Sequence, residues 1–420
     1  MENIKVPIKP LASILLVGLS TIFFYLIYHN SNNGESLLAL IFFTFIVLVM
    51  IFIYNGIDLL SLMSFLVNVL LIPIFIQYVT NQSYGLLELN LIPLHLKLMI
   101  LGIFLFNITV LFLSIVTEFK KNELELLSLN KKVKKNSWSI YFCNITAIIF
   151  SFVSFPRGFS QVSGNERFQM LLPGHAWNQL VIVALIFNLR YVRKYKSVQL
   201  TYLLCIMWFL FHGERADIAG LVLGIICYWV MKQGKILTLK NLGILLVGLS
   251  IVVILNLVGN IRIGLTNRSL LTSLLTTPTI SDVAYLYNTA IDYSLSFAHT
   301  HGQIFVQNLL SAIPFYNSAA DFSSIISLSY NNPGGEPFLA EPIMDFGMWS
   351  VPVMVSLDIL FYRAVIVFKN DFFKYEYLLL LFAVPRIVWY GRSFVYTSVL
   401  FFVPLMFLIT SILYKVQNKK

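Results

Sequence analysis

The chain has 420 residues, of which 58% are hydrophobic and 11% charged, with a formal net charge of +10. That balance excludes an ordinary soluble domain and fits a chain that crosses a membrane many times. The excess of basic residues does not indicate nucleic acid, because the lysines cluster in short connectors between apolar runs.

The first apolar run, 11–28, follows Lys5 and Lys9 without a small-residue cleavage site, so it reads as a retained helix. A span needs about 20 apolar residues. That ruler predicts twelve: 11–28, 36–54, 57–79, 93–117, 138–155, 176–192, 197–212, 216–231, 242–258, 346–366, 376–389 and 393–414. The expected fold is therefore all-α, a polytopic bundle in three parts. These are spans one to nine in 1–258, a large outer loop in 259–345, and the last three spans with a tail in 346–420. Cys143, Cys205 and Cys227 all fall inside apolar runs, without disulfide or metal-ligand spacing.

Basic residues set the orientation. With both termini in the cytoplasm, the inner segments hold 21 of the 29. The outer eight are Lys97 and seven arginines: Arg157, Arg167, Arg215, Arg262, Arg268, Arg386 and Arg392. Topology does not require arginine over lysine, whereas planar, bidentate recognition of phosphate favours it. The six histidines (His29, His95, His175, His212, His299 and His301) fall on that side or at its border.

Two outer turns are short. Residues 197–231 must hold two spans and the turn His212 to Asp217, so Glu214 and Arg215 lie at or below headgroup level. The same arithmetic over 376–414 submerges Arg386 and Arg392, and Pro385 is expected to break the helix there. Charge at that depth is usually paired or functional. One reading pairs Arg215 with Glu214 or Asp217; the other has the arginines meet an anion carried by a lipid-borne substrate.

The loop 259–345 opens with Arg262 and Arg268. Helical spacing follows at Val283, Leu286, Tyr287 and Ala290, and again at Phe305, Leu309 and Ala312. It predicts short amphipathic helices along the outer membrane face, the last stopped by Pro314. Glu336, Glu341 and Asp345 precede the next span, with Glu341 and Asp345 four apart on one helical face. They either complement the helix dipole or serve as a general base or sugar-hydroxyl acceptor. His299 and His301 are further base candidates. The outer side has no Asp-x-Asp, adjacent acidic pair or His-Glu-x-x-His, and the chain no phosphate-binding glycine loop or Gly-x-Ser-x-Gly elbow. No metal, ATP or other cofactor is therefore expected.

GERADIAGLVLG at 213–224, GQIFVQNLLSAIPF at 302–315 and PFLAEPIMDFGMWS at 337–350 resemble the Wzy-type polymerases of O-antigen and capsule repeat units. The likeness runs through roughly 200–400, and the layout of spans and one long outer loop is similar. It implies a fold like that of the C-type glycosyltransferases and metal-independent sugar transfer on the outer face of the cytoplasmic membrane, towards periplasm or cell exterior. Donor and acceptor would both be undecaprenyl-diphosphate-linked oligosaccharides, with a chain-length regulator and a flippase as expected partners. By position, Arg215, Arg386 and Arg392 are assigned to the donor diphosphate, with Glu214, Asp345 and Tyr390 as further substrate contacts. Glu341 or His301 would be the base, and Arg157 and Arg262 would hold the acceptor. Two other readings stay open. A flippase for lipid-linked oligosaccharide should show paired halves and mid-membrane charge, which is sparse here (Asp58, Asp358, Arg363). An O-antigen ligase would differ only in its acceptor.

Overall fold

A computed structural model of the protein describes residues 8–30, 34–80, 93–117, 138–154, 177–212, 214–233, 278–313, 316, 321–332, 334–368 and 370–418. In chain order the helices are α1 (Ile8–Asn30), α2 (Gly34–Asn55), α3 (Leu59–Val69), α4 (Leu71–Thr80), α5 (Pro93–Thr117), α6 (Trp138–Ser154), α7 (Trp177–Asn188), α8 (Lys196–His212) and α9 (Arg215–Gln233). There follow α10 (Pro278–Ser296), α11 (Gln303–Leu310), α12 (Phe322–Ser329), α13 (Ala340–Phe346), α14 (Val351–Val367), α15 (Asp371–Tyr390), α16 (Ser393–Thr397) and α17 (Val403–Asn418). No β-strand occurs among the described residues.

Five of the described segments are long and apolar enough to cross a membrane: Ser36–Asn55, Leu59–Ile76, Leu94–Val116, Met348–Val365 and Val395–Gln417. Shorter apolar helices cover Val17–His29 and Trp138–Ser154. Their outward faces are hydrocarbon: Phe23, Phe42, Ile53, Phe152 and Leu408 are all exposed. An apolar exterior on apolar helices is the signature of lipid as solvent. The span expected at 242–258 lies outside the described residues. The span expected at 57–79 is formed by α3 and α4, which join at a turn at Leu70.

The chain divides into two compact units, each drawn from distant stretches. The first comprises Met1–Glu123, Leu275–Phe305 and Phe322–Ala364. Its membrane helices are tied by buried polar contacts. Asn68 donates to Asn107 across 3.1 Å, and Asp58 caps α3 by accepting from the Ser61 amide at 2.7 Å. Tyr287 of α10 reaches the Met99 carbonyl of α5 at 3.3 Å, and Gly102 leaves room for it: a methyl there would sit 2.1 Å from the hydroxyl. Above this lies a small core of Leu286, Ala290, Ile304, Phe322, Ile326, Ala340 and Met344, supplied by α10 to α13. The helical spacing of Val283, Leu286, Tyr287 and Ala290 is thus a buried face. In α11 the apolar stripe differs from the expected one, since Ile304 is buried and Leu309 exposed.

The second unit comprises Leu124–Leu274, Val306–Asp321 and Val365–Lys420. Its α7 is buried along its whole length after Trp177, which suits a central helix. Asn188 ties α7 to α6 through the Ile140 carbonyl at 3.1 Å and Asn144 at 2.9 Å. The hairpin of α8 and α9 places α9 against α15. Gly220 and Gly224, four residues apart, permit that approach, as small residues do between membrane helices. A Cβ on Gly220 would lie 2.0 Å from the Phe382 carbonyl oxygen, and one on Gly224 would lie 2.4 Å from the Phe382 ring. Pro385 does not break α15, contrary to expectation; the helix runs on to Tyr390 and ends at Gly391, whose φ of 84° suits glycine.

Candidate functional site

In the second unit the two short turns meet through charge. Arg386 donates from Nη1 to Glu214 Oε2 at 3.0 Å and to Asp217 Oδ2 at 2.9 Å. Asn178 of α7 donates to the same Asp217 oxygen at 2.8 Å. Arg386, Glu214 and Asp217 are 6%, 4% and 2% exposed, so this is a buried ionic cluster. The Arg386 guanidinium also lies 5.1 Å from the centre of the Tyr390 ring.

Local sequence builds each arm. The Glu214 amide donates to the Phe209 carbonyl at 3.0 Å and its carbonyl accepts from Ile218 at 3.1 Å, closing the turn tightly onto the start of α9. Both carboxylates therefore sit at the positive end of α9, where the helix dipole favours them. Arg386 is held near the opposite, negative end of α15. Burying these charges carries a large desolvation cost, which only close mutual pairing offsets.

Arg386, Glu214 and Asp217 together carry one net negative charge. Arg215 and Arg392, at the same two helix ends, shift that to one net positive. Arg392 is 4% exposed and Arg215 half-buried. Glu214 and Asp217 pair with Arg386, which is 172 and 169 residues away in sequence. Arg386 and Glu214, both expected to contact substrate, are hydrogen-bonded to each other. Arg157 and Arg262 lie outside the described residues.

In the first unit, Glu341 and Asp345 are both buried on α13, at 1% and 0% exposure. Asp345 is fully engaged. Its Oδ1 accepts from the Ile304 amide at 3.1 Å and from the Thr300 hydroxyl, and its Oδ2 from the Phe305 amide at 2.9 Å. It caps the start of α11, satisfying amides that the helix leaves without partners. The Thr300 and His301 amides donate to the Met344 and Asp345 carbonyls, strapping 300–305 onto α13. Asp345 is therefore better read as a structural cap than as a sugar contact. His301 is exposed, with a left-handed φ of 49°, and His299 is half-buried against Gly347.

A third cluster escaped the sequence reading. His95 Nε2 lies 3.4 Å from Asp292 Oδ1, and the Tyr330 hydroxyl donates to Asp292 Oδ2 at 2.6 Å. Burial, reinforced by the Asp292 carboxylate, pushes the Tyr330 hydroxyl well above the usual tyrosine range, so it remains a donor. The three come from α5, α10 and the end of α12, and no local motif links them. No group of side chains suited to a metal ion occurs among the described residues. Comparison with protein-family models, curated proteins and solved structures finds no match.

Proposed function

We propose that the protein is a membrane glycosyltransferase that joins prenyl-diphosphate-linked oligosaccharide repeat units into a longer polysaccharide, as the likeness to Wzy-type polymerases implies. The observation that carries the reading is the buried ionic cluster of Arg386, Glu214 and Asp217, with Arg215 and Arg392 at the same helix ends. A lipid diphosphate presents its charge at the depth where membrane helices end.

The chemistry asks little beyond charge. An acceptor sugar hydroxyl attacks the anomeric carbon of the donor glycan. The bond from that carbon to the diphosphate oxygen breaks, and the prenyl diphosphate leaves with the electron pair. Guanidinium groups fixed in a poorly hydrated site stabilise this leaving charge without reorganising. Arg215 and Arg392 are the residues proposed to contact the diphosphate, with Tyr390 beside them. Arg386 positions the Glu214 turn against the end of α15. The hydroxyl proton leaves to a general base or to water. Metal is not required, because the arginines supply the positive charge.

The test is the surface glycan of a strain whose only copy carries Arg392→Ala or Arg215→Ala. The reading expects surface lipid to carry a single repeat unit while the protein remains at normal abundance. Polymer of normal length from both variants would remove the assignment. Loss of all surface repeat units would favour a flippase, and free polymer not passed to its final acceptor would favour a ligase.

A further inference from the structure

The opposite end of the second unit holds a cavity that the proposed reaction does not use. It has a volume of about 400 Å³ and is walled by α6, α7, α15 and α17, with Arg190, Tyr191, Asp371, Tyr375, Thr410 and Lys415 among its lining. Asp371 and Tyr375 lie on the first turns of α15, whereas Arg386 is 15 residues further along it. At a rise of about 1.5 Å per residue, the cavity is roughly 22 Å from the ionic cluster.

The lining is rich in donors and poor in acceptors of charge. The Tyr191 side chain is 5% exposed; its hydroxyl finds no acceptor among the described residues, its polar neighbour being the Arg190 guanidinium. The Arg190 guanidinium lies 4.7 Å from the Tyr191 ring centre, yet its Nε is also buried without a hydrogen-bond partner. Two buried donors without an acceptor beside an open cavity are costly unless something accepts from them. The one lining carboxylate, Asp371, is already 3.5 Å from Lys374. Arg190 and Lys415 therefore leave the cavity positive. It lies at the end that also carries Arg193, Lys194 and Lys196, the end the positive-inside rule assigns to the cytoplasm.

We propose that this cavity binds a phosphate-bearing anion, held by Arg190, Tyr191 and Lys415. A guanidinium offers paired N–H donors to phosphate oxygens, and the tyrosine hydroxyl and lysine ammonium add single donors. The volume suits one headgroup or one small phosphate compound. Basic pockets between membrane helices on the cytoplasmic side take anionic lipid headgroups, and a soluble phosphate offers the same oxygens. The inference does not rest on the proposed glycosyl transfer, which uses the other end of the unit.

The experiment uses the full chain, purified in detergent and placed in nanodiscs of phosphatidylcholine alone or with phosphatidylglycerol. Native mass spectrometry counts retained lipid, and thermal unfolding is followed with and without millimolar inorganic phosphate. Retained phosphatidylglycerol with a raised unfolding midpoint identifies the lipid source. A raised midpoint with inorganic phosphate in phosphatidylcholine alone identifies a soluble one. In either case Arg190→Gln should weaken binding by about tenfold to a hundredfold, the loss expected for a charge-assisted contact. Tyr191→Phe, which keeps the ring, should weaken it severalfold, so the inference stays testable if Arg190→Gln does not fold. Arg193→Gln, whose guanidinium instead lies 3.6 Å from the Trp229 ring centre, should leave binding unchanged. No preference for either anion, or a preference unaltered in both Arg190→Gln and Tyr191→Phe, overturns the proposal.

Discussion

Replacing Arg386 with methionine removes one cation and leaves two carboxylates facing each other. Contacts of 3.0 and 2.9 Å are lost, and Glu214 and Asp217 remain 4% and 2% exposed. Removing one partner from a buried pair typically costs about 3–5 kcal/mol, because the remaining buried charge loses its closest counterion. Polar contacts between membrane helices often measure nearer 0.6 kcal/mol, but those concern neutral groups, and here charge is stranded. We therefore expect Arg386→Met to destabilise the chain by about 3–5 kcal/mol in equilibrium unfolding from mixed micelles. The neutral triple variant Arg386→Met, Glu214→Gln, Asp217→Asn should recover most of that loss, since replacing a buried ionic group outright is often close to neutral. The coupling, not the single value, carries the argument. An Arg386→Met protein within about 1 kcal/mol of the wild type, or a triple variant no better than the single, would refute the ionic cluster as the tie between these helices.

Other outcomes follow from the packing. Gly220→Ala places a methyl against the Phe382 backbone oxygen, which cannot swing away, so unfolding should become easier by about 1–3 kcal/mol or more. Gly224→Ala meets the Phe382 ring instead, and adding Phe382→Leu should relieve part of its cost in the same assay. Asp345→Ala strands the Thr300 hydroxyl and the Ile304 and Phe305 amides, and should lower stability by about 3 kcal/mol. Tyr330→Phe should cost about 1 kcal/mol, measured by unfolding at several pH values. The folded state raises the Tyr330 pKa, so its contribution is complete below the ordinary tyrosine range and lost as pH rises through the folded value. The penalty of the substitution should accordingly be flat from neutral pH to about pH 9 and shrink above about pH 10.

That charge in these turns is withdrawn from solvent was legible from length alone, because 197–231 cannot hold two full spans and a projecting loop; Glu214, Arg386 and Arg392 are buried. The helix over 278–296 was legible because Val283, Leu286, Tyr287 and Ala290 repeat at helical spacing. Partnership was not legible. That Glu214 meets Arg386 follows only from the packing of α9 on α15. The glycines that allow this, Gly220 and Gly224, stood in the sequence, but their target, Phe382, lies 162 and 158 residues on. Pro385 was expected to end its helix, yet a proline removes only one backbone donor, and burial against α9 can hold the remaining turns. Asp345 was expected as a substrate contact; its role as a cap for α11 depends on a fold-back that no local pattern announces. His95, Asp292 and Tyr330 are separated by nearly two hundred residues at one step, so no motif search joins them.

The most direct test of the proposed chemistry is reconstitution of the purified chain in liposomes with a prenyl-diphosphate-linked oligosaccharide and a metal chelator. The account predicts one prenyl diphosphate released for each new glycosidic bond, and loss of both products together in Arg392→Ala. Movement of the lipid-linked oligosaccharide across the bilayer with no bond formed, or bond formation indifferent to Arg392 and Arg215, would contradict it.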